Sequence, residues 1–65
     1  MRVREVRRLL KRDGWFELPR GNTAHIHLKH PTKPGKVTVA DHKGDMKERD
    51  LASIEKQSGL KLRRR

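Results

Sequence analysis

Val3, Val6, Leu9 and Leu10 recur at the spacing of one helix face, and Arg4, Arg7, Arg8 and Lys11 fill the opposite side. The spacing predicts an amphipathic helix over Val3–Asp13, with Gly14 as its stop. Trp15–Leu18 reads as a short strand, and Pro19–Asn22 as a turn. From His25 to His30 the period drops to two. His25, His27 and Lys29 point one way, while Ile26, Leu28 and His30 point the other, as in a strand with one wet and one buried face. Pro31–Gly35 is a second turn, with Pro34 and Gly35 suited to the central pair of a type II turn. Lys36–Ala40 alternates again with Val37 and Val39 inward, which completes an antiparallel hairpin. Asp41–Arg49 is polar and reads as a loop. Asp50 is the expected N-cap of a second helix that runs to Ser58, with Leu51, Ile54 and Leu60 as its inner stripe and Gly59 as its stop.

The order α-β-β-β-α predicts an α+β fold, a two-layer sandwich with two helices on one face of a three-stranded antiparallel sheet. Residues 1–65 form one domain, with 61–65 as a frayed basic tail able to follow a phosphate backbone. The two aromatics, Trp15 and Phe16, are expected in the core because they adjoin the helix end. The sheet face away from the helices is left to His25, His27, Lys29 and Thr38, and a ligand is expected there.

Charge narrows the partner. The 65 residues carry 18 Lys and Arg against 8 Asp and Glu, a formal net charge of +10, and nucleic acid leads the candidates. With no cysteine there is neither disulfide nor thiolate metal site, and a reducing cytoplasm fits. No apolar run approaches the ~20 residues of a membrane span, and no signal peptide is visible. The short chain makes a small core, so oligomerisation or a protein partner is expected to supply the missing burial.

Four histidines, His25, His27, His30 and His42, raise the question of a metal. Zinc favours closed tetrahedral sites, often completed by Cys or carboxylate; His30 points away from the first two, and no metal is assigned. A sheet-face RNA binder needs aromatics on its strands; none is expected on this sheet's free face, so that reading fails. Double-stranded RNA binding through a helix and loops stays open. A metal-independent nuclease needs a group to take a 2′-hydroxyl proton, a group to return one, and cations to hold the phosphate. His25 or His27 supplies an imidazole and Lys29 a charge. Arg7, Arg8 and Lys11 are further candidates for RNA phosphate.

Three stretches resemble the HicA toxin family: Asp13-Gly14-Trp15, then His25 with Leu28-Lys29-His30-Pro31 through Val39, and Ser53 through Leu60. The resemblance implies a double-stranded-RNA-binding-domain-like fold and cleavage of mRNA without metal or other cofactor. It also implies one catalytic histidine on the second strand and inhibition by a HicB-type antitoxin. The sequence departs from the family's usual residues at Thr23-Ala24, Leu28, Ala40 and Arg49-Asp50. Counting back from His30-Pro31 makes His25 the catalytic position, with His27 no more than a phosphate contact. Counting forward from Gly14-Trp15 lands on Ala24. The alternative is therefore a non-catalytic RNA-binding module of the same fold, or an inactivated toxin.

Overall fold

The computed structural model describes residues 1–41 and 43–62. His42 and the last three residues of the expected tail lie outside that description. Helix α1 spans Val3–Arg12, strands β1, β2 and β3 span Phe16–Glu17, His25–Lys29 and Val37–Ala40, and helix α2 spans Glu48–Ser58. The three strands form one antiparallel sheet, as the sequence pattern predicts, and the structure adds their order, β1-β2-β3.

The core forms where the three apolar patterns meet. Val6 and Leu10 of α1, Ile26 and Leu28 of β2, Val37 and Val39 of β3, and Ile54 of α2 are all buried together. Each such side chain contributes roughly 1.5–3 kcal/mol by leaving water. Because every inward residue of β2 and β3 belongs to this cluster, both helices lie on one sheet face and the other face stays wet. Register is fixed by the same alternation, with Ile26 opposite Val39 and His27 opposite Thr38. At the outer edge of β3, the Thr38 N–H donates to Gln57 Oε1 of α2 at 3.0 Å.

Three expectations change. Phe16 is 49% exposed while Trp15 is 2% exposed, so only one of the two aromatics joins the core. Adjacent residues of a strand face opposite ways, and burying Trp15 turns Phe16 outward. Helix α2 begins at Glu48 with Lys47 as its N-cap, and Asp50 falls inside the first turn. Met46 is buried, and its N–H donates to Met1 O at 2.8 Å, which holds the chain beside α1 and starts the helix early. Glu48 and Asp50 then both sit near the positive end of the helix dipole. Finally, Leu62 is not frayed. It is buried, and its N–H donates to Glu55 Oε2 at 2.7 Å. One apolar residue inside a basic run is enough to anchor the segment against the core.

Candidate active site

Strand β2 divides its histidines between two faces. On the wet face, His25 and Lys29 are exposed and His27 is half-buried. Two residues apart on a strand, His25 and His27 are separated by roughly 6.6 Å along the chain. His27 is tethered across the hairpin: its Nδ1 lies 3.2 Å from Thr38 Oγ1, so Nε2 is the nitrogen left for a ligand. His25 begins the strand. Its N–H donates to Thr23 Oγ1 at 3.1 Å, and its Nδ1 lies 3.5 Å from the same oxygen. Arg20 ion-pairs with Asp41 at 3.0 Å, fastening the turn before β2 to the end of β3 beside Ala40, the register partner of His25. These tethers position the face without occupying it.

His30, just past the strand, turns inward and serves a different purpose. Its Nε2 lies 2.8 Å from Asp13 O, and its Nδ1 accepts the N–H groups of Thr32 and Lys33, each at 3.1 Å. That pattern fits the tautomer carrying its proton on Nε2. The ring meets Trp15 edge to face at a centroid distance of 5.1 Å. Gly14 adopts φ +108°, and a Cβ there would stand 2.7 Å from His30 Nε2, so glycine is required both by conformation and by space. Lys33 Nζ bonds Asp13 Oδ2 and reaches Ser58 O at 3.3 Å, joining the hairpin loop to the ends of α1 and α2. Its hydrogen bond holds the Asp13 carboxyl below the usual carboxylate range. The three stretches that carry the family resemblance therefore converge on this corner.

The remaining predicted contacts belong to the helix layer. Arg7 is half-buried and donates through Nε and Nη2 to the Glu17 carboxylate at 2.7 and 2.8 Å. This bidentate bond, with Lys11 Nζ at 3.5 Å, holds the Glu17 carboxyl below the usual range. Arg7 and Lys11 thus already have a partner within the fold, whereas Arg8 is exposed. The structure brings His25, His27 and Lys29 together on the wet face. It sets Arg7, Arg8 and Lys11 on α1, on the other side of the sheet.

Sequence reasoning missed Phe16. In the antiparallel register it sits opposite Lys29, and directly opposed residues share a sheet face. Its exposed ring therefore lies on the wet face beside the lysine. The signal available was the alternation from buried Trp15 to Phe16 to Glu17, too short to read without knowing which residue packs. Among the described residues, no group of three or more His, Cys, Asp or Glu could hold a metal ion. No helix among them is long and apolar enough to cross a membrane.

Fold and site together define a small basic α+β domain with imidazoles and a lysine on its free sheet face. The model of the family described as HicA toxin of bacterial toxin-antitoxin matches residues 3–60, and the chain belongs to that family of toxins. No curated protein matches the chain.

Proposed function

We propose that this toxin is an endoribonuclease that cuts mRNA in the cytoplasm with its own side chains and is held in check by a HicB-type antitoxin. The observation that carries the reading is the row His25, His27, Lys29 on the exposed face of β2. His25 takes the proton of a ribose 2′-hydroxyl. The 2′-oxygen attacks phosphorus, the bond to the 5′-oxygen breaks, and a 2′,3′-cyclic phosphate forms. His27, as imidazolium, gives its Nε2 proton to the leaving 5′-oxygen. Its Nδ1–H then donates to Thr38 Oγ1, which orients the ring. Lys29 faces the phosphate charge. The two imidazoles suit an in-line displacement, in which attacking and leaving oxygens each need a nitrogen within about 3 Å. This gives His27 more than the phosphate contact expected from the sequence.

The test is labelled RNA incubated with purified protein and EDTA. Fragments ending in 2′,3′-cyclic phosphate are expected, with a bell-shaped pH–rate profile. Intact RNA would remove the enzyme reading. Replacing the leaving 5′-oxygen by sulfur separates the two roles, because a thiolate leaves without a proton. His27→Ala regains the lost rate on that substrate and His25→Ala does not. A second reading, a binder that does not cut, draws on Ala24, which stands just before His25 and has no reactive atom. RNA bound tightly but left intact in EDTA would favour it.

A further inference from the structure

Phe16 is the exposed large hydrophobic residue among those described, and the core gains nothing from its ring. It belongs to β1, an edge strand of two residues, and its register partner is Lys29. Glu17, the next residue, turns to the helix layer to meet Arg7, which confirms that Phe16 faces the other way. Leu18 follows on the Phe16 side; its N–H donates to His27 O at 2.8 Å, and it lines a groove with Lys29, Pro34 and Lys36. An aromatic face thus lies at one end of the histidine row, opposite Lys29, which also lines that groove with Lys36. Along β2, Lys29 is roughly 13 Å from His25.

We propose that Phe16 is a base-stacking platform, and that the substrate is single-stranded RNA with one unstacked base laid on this ring and its phosphate held by Lys29 and Lys36. The inference rests on the RNA reading above and adds the form of RNA that fits. A duplex keeps its bases stacked on one another and offers no face to Phe16, whereas a single strand can turn a base out onto an aromatic side chain. Charge selects RNA over an apolar protein segment as the occupant: the groove is flanked by lysines, and the chain carries a net charge of +10. A lone exposed aromatic is ordinary on a protein surface. This one shares its face with the proposed catalytic row, and that placement gives it a function.

The experiment is a thermodynamic cycle between protein and RNA. Binding is measured in EDTA with the His25→Ala protein, which leaves the oligonucleotide whole. Phe16→Ala is expected to weaken binding to a single-stranded oligonucleotide about 5- to 150-fold, the range of one base stack. Phe16→Leu, which keeps apolar bulk without a π face, weakens it nearly as much, and Phe16→Trp retains it. An abasic site moved along the oligonucleotide produces the same loss at one position, and that loss disappears in the Phe16→Ala background. A duplex of the same sequence is insensitive to Phe16. Equal affinity of parent and Phe16→Ala, or no abasic position coupled to the ring, overturns the proposal while leaving the nuclease reading intact. Unchanged RNA binding with weakened antitoxin binding overturns it in favour of a protein contact. A parent that binds no RNA overturns both readings.

Discussion

His25 and His30 stand on the same short segment and live in different worlds. His25 looks into solvent, meets Thr23 through its ring, and can be changed without opening a void. His30 looks into the fold and holds three backbone groups and a tryptophan ring. A strand with two faces lets one sequence motif serve chemistry on one side and architecture on the other. The lesson is that a histidine's place in a motif says little about its role until its face is known.

Removing His25 gives the largest expected effect and the cleanest split. His25→Ala lowers the cleavage rate by ~10²–10⁴, the usual contribution of a general acid or base. Its stability changes by no more than about 0.5 kcal/mol, as for other surface positions. Single-turnover cleavage and urea unfolding of the same preparation measure both. A stability loss that tracks the activity loss would erase the distinction between the two histidines.

His30→Ala tests the other side. It leaves Asp13 O and two backbone N–H groups without their partner and strips the edge contact from Trp15. A loss of about 2–4 kcal/mol in unfolding free energy is expected. Protein that remains folded cuts RNA at the parent's rate. Gly14→Ala attacks the same corner from below, through its positive φ and the clash with His30 Nε2. It costs less in a His30→Ala background than alone, because the clashing ring is gone. Additive losses would mean that the two residues do not share one contact.

Most of this contrast was legible in the sequence, since period-two alternation placed His25, His27 and His30 on their correct faces and apolar spacing found both helices. Phe16 was misread because β1 is two residues long and nearness to the helix end argued for core packing; only the packing of Trp15 decides the face. The early start of α2 depends on Met46 reaching Met1 across the fold, which no local capping residue announces. The Arg7–Glu17 pair joins a helix to a strand, so helical spacing showed Arg7 only as one more basic residue on a basic face. Local periodicity reads faces well, but contacts between elements have no local signal.

The acid side of the pH–stability curve sharpens the comparison further. Glu17 and Asp13 are held below their ordinary values first by hydrogen bonds from Arg7 and Lys33, respectively. Unfolding raises both toward the usual carboxylate value near 4, so the unfolded chain binds more protons in this window. Stability is therefore complete above about pH 5 and falls as pH drops through the lower folded values. Glu17→Gln costs about 1 kcal/mol at neutral pH, discounted for partial exposure, and flattens part of the acid slope. Urea midpoints from pH 7 to pH 2 measure this. An unchanged slope in the variant would show that the Arg7 pair contributes nothing to folding.

The smallest effect belongs to Arg8, exposed on α1. If RNA reaches the helix layer, Arg8→Ala weakens binding modestly and lowers the slope of log K against log salt by about 0.7 for a single strand. Titrations at several salt concentrations give the slope directly. A slope equal to the parent's confines the RNA to the sheet face with His25.

One contact outside both regions bears on the exposed edge of the sheet. The outer edge of β3 is a line of backbone donors and acceptors, the kind of template on which another strand can dock. Gln57 reaches over from α2 and takes the Thr38 N–H at 3.0 Å. It breaks that template in the middle of a four-residue strand. A strand docking on this edge would have to displace that amide first, so Gln57 acts as a local guard against edge-to-edge pairing.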